Sequence, residues 1–83
     1  MMTYDTTRSI TEGPLTVYAP DMGCDITMVA YSEVGAWFGL LGGYLFSAPM
    51  FTDGTFDPQD IGEVADFDDY CLKVMDELKA ANL

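Results

Sequence analysis

A run of 18 residues without a charge, 34–51, constrains the fold of this chain more than any other feature. A run of this length has to be buried, and it reaches the lower limit for a transmembrane helix. Glycines and Pro49 interrupt it, however, and the flanking acids lack the adjacent Lys or Arg that orient membrane helices. We therefore predict a buried core helix that follows an N-cap at Ser32 and ends near Phe46, with a membrane span at 34–51 as a remote alternative.

The segments before this run indicate β-structure. Residues 15–19 alternate and contain β-branched and aromatic side chains, a pattern typical of a strand. Residues 26–31 fit both a strand antiparallel to 15–19 and a helical stripe that continues to Leu45, and we favour the strand. The polar residues 6–10 predict an edge strand or a mobile start to the chain.

The last third of the chain carries helix signals. Asp57 followed by Pro58 is typical of an N-cap and the first helical residue. Further along, apolar side chains recur at helical spacing, at Phe67, Tyr70, Cys71, Val74, Met75 and Leu78. This pattern predicts an amphipathic helix from 67 to about 81, with a break between 62 and 66. The Asp53-Gly54 pair predicts a tight hairpin or loop.

These elements fit one domain of the α+β class, spanning residues 1–83. We expect a small antiparallel sheet of two or three strands packed against two helices, of which the C-terminal one is amphipathic. The glycines at 35, 39 and 43 lie four residues apart, which would let the first helix pack closely against the sheet or the other helix.

The charge of the chain excludes several functions. There are 14 acids, three bases and no His, for a net charge of −11. Direct nucleic-acid binding needs clustered Lys and Arg, and an anionic membrane surface would repel the chain. Without His, the chain lacks the commonest general base and the commonest metal ligand. We expect a protein that is not an enzyme, with no catalytic residue, no cofactor and no metal site.

Two known kinds of acidic protein do not fit the residues. A calcium loop beginning at Asp53 needs Gly at its sixth position and Glu at its twelfth, where this chain has Pro58 and Val64. An acyl carrier protein needs an Asp-Ser site, and no serine here follows an Asp.

The two cysteines, Cys24 and Cys71, are too few for a four-thiolate site, and the first residues lack a secretory signal. We expect two reduced, buried thiols in a cytoplasmic protein.

The acids are concentrated toward the C-terminus, where residues 53–83 carry a net charge of −7 against −4 for residues 1–52. Acids are favoured at helix starts, which explains their positions but not the scarcity of bases. Helical carboxylates at i and i+3 or i+4 are about 4.5–6 Å apart along the axis, comparable with the roughly 3.4 Å between DNA phosphates along one strand. A row of acids can therefore occupy a groove built for phosphates. The residues predicted to bind such a partner are Asp53, Asp57, Asp60, Glu63, Asp66, Asp69, Asp76 and Glu77.

In its short length, its acidity and its lack of a catalytic set, the chain resembles the phage-encoded anti-CRISPR proteins and other DNA-mimic inhibitors. This resemblance in class implies stoichiometric binding to a basic nucleic-acid-binding protein or complex, such as a CRISPR surveillance complex, in the host bacterial cytoplasm. One alternative is an antitoxin- or immunity-type protein that caps a basic enzyme site. Another is a small phage oligomerisation module, such as a homodimer, that assembles through the aromatic residues of 37–56.

Overall fold

A computed structural model describes residues 11–83, which form an antiparallel sheet and one α-helix. The strands are β1 (Glu12–Ala19), β2 (Cys24–Tyr31), β3 (Ala36–Leu41), β4 (Tyr44–Pro49) and β5 (Gly62–Glu63). They lie side by side in sequence order, and each is antiparallel to the next. A 3-10 helix, Pro58–Asp60, precedes β5, and helix α1, Asp69–Ala80, follows it. The edge strand predicted at 6–10 lies outside the described residues.

The uncharged run does not form the predicted helix. Its residues form β3 and β4, and the two strands are joined by a tight turn at Gly42 and Gly43. Both glycines have positive φ values, 61° and 86°, the backbone of a type I′ hairpin turn, which glycine adopts without strain. The predicted helix ending near Phe46 is therefore wrong. Within residues 11–83, no helix is long and apolar enough to span a membrane.

The predicted fold class is wrong in the number of its elements. The described residues form five strands and one α-helix, whereas we expected two or three strands packed against two helices. The additional strands come mainly from the run that was expected to be helical. The three glycines expected on one helix face lie instead in a turn, in β3 and in the next turn, at Gly35, Gly39 and Gly43.

Three other sequence predictions for local structure are confirmed, whereas the helix start predicted at Asp57 and Pro58 leads only to the three-residue 3-10 helix. Residues 15–19 lie in β1, and residues 26–31 lie in β2 and form a strand rather than a helix. Helix α1 lies within the predicted range of 67 to about 81, and it follows a non-helical segment that includes the expected break. Its N-cap is Asp68, whose side chain accepts a hydrogen bond from the backbone N–H of Cys71.

Both faces of the central sheet are buried, and α1 covers one of them. On this face, aromatic and aliphatic side chains of β2, β3 and β4 pack against three residues of the helix, and the cluster comprises Val29, Tyr31, Phe38, Leu45, Tyr70, Val74 and Leu78. The ring of Tyr31 meets Phe38 and Tyr70 edge-on, with centroids 5.5 and 6.2 Å away. We call this surface of the sheet the helix face.

The opposite face of the sheet is covered by the loop 50–61. The 3-10 helix packs against both β1 and β4, so the sheet must curve around it, and we call this surface the concave face. Its core contains Ile26, Met28, Trp37 and Ile61, and Phe56 of the loop packs against Trp37 with ring centroids 5.0 Å apart and ring planes tilted by 40°. The loop and α1 therefore lie on opposite sides of the sheet.

Gly39 lies where β3 closely approaches β2 on the concave face, and this close approach leads to a prediction. A methyl group at this position would lie 2.6 Å from the carbonyl oxygen of Thr27 and 2.7 Å from the Sδ of Met28. Because the carbonyl belongs to the neighbouring strand, it cannot move aside without disturbing the sheet. We expect Gly39→Ala to lower the free energy of unfolding by about 1–3 kcal/mol, the usual cost of overpacking, in a urea titration.

The matched control is Gly62→Ala in β5. No atom lies within 4 Å of a methyl group built at Gly62, and this glycine does not have a positive φ. Its substitution is expected to leave stability nearly unchanged. Equal losses in the two variants would show that the close approach at Gly39 is not what makes alanine costly there.

Candidate functional site

The first feature of functional interest is the set of acids, because they lie on the surface, where a partner can contact them. Thirteen of the 14 acids fall within the described residues, and all of these except Glu77 are exposed. The only bases in the same range are Lys73 and Lys79, both on α1. Such a surface repels other acidic surfaces and attracts basic ones over long distances at low salt.

Seven acids lie between residues 53 and 69, and no base separates them. We call them the acidic strip: Asp53, Asp57, Asp60, Glu63, Asp66, Asp68 and Asp69. The strip begins in the loop that covers the concave face, passes β5 at the edge of the sheet, and ends in the first turn of α1 on the helix face. It therefore wraps around an edge of the molecule instead of covering one flat face.

This course changes how the predicted residues relate to one another. Only three of them lie in α1, namely Asp69, Asp76 and Glu77. No two of these three are three or four residues apart, so the helical spacing used to compare carboxylates with phosphates does not occur within the predicted set. Asp69 and Asp76 are both exposed and lie on the outer side of the helix, two turns apart. The loop acids Asp53 and Asp57 lie on the opposite side of the sheet, so the structure does not bring all eight predicted residues together.

Glu77 differs from the other predicted residues because it is tied to the core. It is half-buried, and its Oε2 accepts a hydrogen bond of 2.7 Å from the hydroxyl group of Tyr31, which is itself fully buried. This bond joins α1 to β2 across the helix face. A carboxylate held in this way contributes charge to the surface but is poorly placed to meet a partner directly.

Three acids of the strip are fixed by local hydrogen bonds. The Asp57 carboxylate caps the 3-10 helix by accepting from the backbone N–H of Gln59 at 3.0 Å. Asp53 accepts from both the hydroxyl and the N–H of Thr55, and these bonds, the hydroxyl first, lower the pKa of its carboxyl group. Asp68 accepts from the N–H of Cys71 at 2.8 Å, which likewise lowers the pKa of Asp68. These bonds give an irregular segment a defined arrangement of charges.

The cap at Asp68 supports a prediction about pH. Because its pKa is lower in the folded state than the ordinary value of 3.8, the ionised carboxylate stabilises the fold above that pH. This contribution is lost as the pH falls below 3.8 and through the folded-state pKa. We expect Asp68→Ala to lower the melting temperature at pH 7, and the difference from the wild type to narrow below pH 3.8. Asp76→Ala, which removes the same charge from the outer side of α1, is the control and should show no such loss.

A cleft on the concave face is the second feature, and sequence analysis did not find it. The cleft has a volume of about 320 Å³, at the lower end of the range of ligand-binding pockets. One wall is formed by β1, and the other by Thr55, Phe56 and Pro58 of the loop. Trp37 lies between the walls, and its Nε1 donates a hydrogen bond of 3.2 Å to the carbonyl oxygen of Gly54. The lining is mainly apolar.

Glu12 supplies the only charged side chain of this lining, and a β-bulge places it there. Glu12 pairs with Ala30, but Leu15 pairs with Met28, so β1 contains one extra residue between the two pairs. Without this register shift, Glu12 and Leu15 would point to opposite faces, because side chains alternate along a strand. With it, Glu12 shares the concave face with Leu15, and both line the cleft. Bulges commonly re-aim a side chain in this way beside functional sites.

Several other features of the described residues bear on function. Cys24 and Cys71 are free thiols, as expected, but both are half-buried rather than fully buried. Burial raises the pKa of Cys71, which disfavours a reactive thiolate at neutral pH. Within residues 11–83, no three His, Cys, Asp or Glu side chains are placed to hold a metal ion. Of the aromatic residues considered for assembly, Tyr44 and Phe51 are exposed, whereas Trp37 is buried.

Comparisons with protein-family models, with curated proteins and with solved structures found no match to this chain. Any functional assignment therefore depends on the acidic strip, the cleft and their chemistry.

Proposed function

We propose that this protein is a non-enzymatic inhibitor of the DNA-mimic class, in which carboxylates occupy a basic site built for nucleic-acid phosphates. The observation that carries the proposal is the exposure of 12 acids in the described residues, against two lysines confined to one helix. An ordinary soluble surface mixes both signs, because like charges repel and destabilise the compact state. A strongly basic partner would offset that repulsion when the complex forms.

The course of the acidic strip suits a groove more than a flat surface. A strip that bends around the β5 edge can place charges against both walls of a groove in the partner that normally encloses a nucleic-acid backbone. The capping bonds of Asp57 and Asp68 reduce the freedom that these carboxylates would lose on binding. The partner class is a nucleic-acid-handling complex of a bacterial host, such as a CRISPR surveillance complex in the cytoplasm, whose basic residues hold DNA.

The test measures competition with DNA. Purified, guide-loaded CRISPR surveillance complexes are titrated with labelled duplex DNA in the presence and absence of the full chain, at about 50 and 200 mM salt. We expect the protein to inhibit DNA binding in a stoichiometric manner, and the inhibition to weaken as the salt concentration rises. In parallel, the tagged protein is used to capture partners from a bacterial lysate, with competing duplex DNA in one arm.

The outcomes separate the proposal from its alternatives. Capture of a nucleic-acid-binding complex that is displaced by DNA and by salt supports the proposal. Capture of a basic enzyme toxin without affinity for DNA would replace it with the antitoxin- or immunity-type function. Recovery of the protein alone, unaffected by salt or DNA, would overturn it in favour of self-association through exposed aromatic residues such as Tyr44 and Phe51.

A further inference from the structure

We infer that the cleft beside Trp37 receives an arginine side chain of the basic partner, with the alkyl stem against the apolar walls and the guanidinium group on Glu12. This inference rests on the proposed function, because it names the contact by which the partner is anchored. The acidic strip spreads its charges along the surface, whereas the cleft is a concave site with one carboxylate in its lining.

The lining fits a side chain that is apolar along its length and positive at its end. Leu15 and Val17 form an aliphatic wall, and Phe56 faces them from the loop. Lysine and arginine commonly bury their alkyl stems on apolar surfaces and keep the charged end near polar groups. A fully apolar occupant would leave the Glu12 carboxylate covered without a counter-charge, which is costly.

The position of Glu12 gives the charged end of the occupant a partner. The Oε2 of Glu12 would lie 3.6 Å from a methyl group built at Gly54. The Glu12 carboxylate therefore reaches over the loop at the mouth of the cleft. Within residues 11–83, no group donates a hydrogen bond to this carboxylate. A guanidinium group can donate two parallel hydrogen bonds to a carboxylate, and it is less strongly hydrated than an ammonium group, which favours arginine over lysine here.

Charge complementarity on the concave face supports the same occupant. Asp53 and Asp57 flank the loop wall in sequence, whereas Lys73 and Lys79 both lie on α1, on the other side of the sheet. No base of the described residues therefore competes for Glu12 on this face. A basic nucleic-acid-binding site offers arginines in number, since arginine is the residue most used to contact phosphates and guanine.

The test uses a blocked Gly-Arg-Gly peptide and the same peptide with citrulline, which has nearly the shape of arginine but no charge. Trp37 is the single tryptophan of the chain, so its indole N–H gives one identifiable NMR signal next to the cleft. We expect the arginine peptide to shift this signal in a saturable manner. The citrulline peptide should bind about tenfold more weakly, because a charge-assisted hydrogen bond is lost.

Three variants of the full chain complete the experiment. Glu12→Gln should weaken binding of the arginine peptide about tenfold, and Leu15→Ser should also weaken it by removing part of the apolar wall. Glu12 and Leu15 are both exposed, with 46% of Leu15 accessible, so the variants are expected to fold, and their amide spectra check this. Asp76→Asn removes one charge from the opposite side of the sheet and should leave binding unchanged.

Each outcome decides the inference. Equal binding of the two peptides, equal effects of Glu12→Gln and Asp76→Asn, or no shift of the Trp37 signal would overturn it. A selective shift that depends on Glu12 supports it. No nucleic-acid-binding partner is present in this assay, so its result is independent of the DNA competition. The arginine peptide can fail to bind while the protein still inhibits DNA binding, and the peptide can bind while the protein does not inhibit.

Discussion

Neutralising three acids of the strip, with Asp60→Asn, Glu63→Gln and Asp66→Asn together, is expected to weaken inhibition of DNA binding about ten- to hundredfold. These three are chosen because they are exposed and because no described residue donates a hydrogen bond to their carboxylates. Their loss therefore changes charge without removing a cap. Each exposed charge pair contributes up to about 1 kcal/mol, so the effect is a sum over the strip and not the removal of one essential contact.

The matched control neutralises the same number of aspartates and glutamates outside the strip, with Asp21→Asn, Asp25→Asn and Glu33→Gln. These residues are exposed in or beside the turns that join β1 to β2 and β2 to β3. Both triple variants have the same net charge, so the comparison separates the position of the charges from their number. The measurement is the concentration of protein that halves DNA binding by the partner complex, at two salt concentrations.

The two variants should also differ in their dependence on salt. If the strip contacts the partner, the strip variant retains weaker inhibition that depends less steeply on salt, whereas the control variant keeps the wild-type dependence. The strip variant should not lose stability, since removing like charges reduces self-repulsion. If the two triple variants weaken inhibition equally, net charge alone determines the inhibition. If the strip variant inhibits as well as the wild type, the proposal that the strip mimics phosphates is wrong.

The uncharged run shows where sequence analysis failed and why. A strand that is exposed on one side alternates apolar and polar residues, but β3 has Trp37 buried on the concave face and Phe38 buried on the helix face. A strand buried on both sides has no alternation, and its composition cannot be told from that of a buried helix. The Gly42-Gly43 pair was the available signal, because two apolar runs joined by two glycines are typical of a hairpin.

The C-terminal helix could be predicted because its signals are local. Tyr70, Val74 and Leu78 repeat at helical spacing, and Asp68 is a good N-cap just before them. One face of the helix is buried and the other is exposed, so the pattern is complete within a dozen residues. Helix α1 accordingly lies within the predicted range.

The two candidate sites also differ in whether local signals in the sequence reveal them. The exposure of the acidic strip follows from residue type, so its members could be named from sequence, but its path around the β5 edge required the pairing of β4 with Gly62 and Glu63. The cleft could not be foreseen, because it joins β1, Trp37 and the loop, which are distant in sequence. It also depends on a one-residue bulge in β1 that turns Glu12 inward. Gly13 and Pro14 lie at this bulge and were the available signal, because both residue types are common at bulges.

Leu78→Ala is expected to have the largest effect on stability, a loss of about 2–5 kcal/mol in the free energy of unfolding. Leu78 is fully buried between α1 and the helix face, and truncation leaves a cavity that the helix can close only in part. Small domains have total stabilities of roughly 5–15 kcal/mol, so the variant should approach the limit of folding at room temperature. The measurement is a urea titration at neutral pH.

The chain offers the same substitution on the opposite side of the same helix. Leu72 is 49% exposed, and Leu72→Ala is expected to change stability by no more than about 0.5 kcal/mol. Alanine is also the better helix former, so propensity does not explain a loss at Leu78. Comparable losses in the two variants would mean that α1 is not held by its buried face.

Two probes in the same titration show whether the molecule unfolds as one unit. Far-ultraviolet circular dichroism follows α1, and the fluorescence of Trp37 follows the concave face on the other side of the sheet. Because β2 and β3 contribute side chains to both cores, we expect Leu78→Ala to shift both transitions together. An early loss of the helical signal with an unchanged Trp37 transition would contradict this. It would make α1 a separately detachable element, and the end of the acidic strip at Asp69 would then move independently of the cleft.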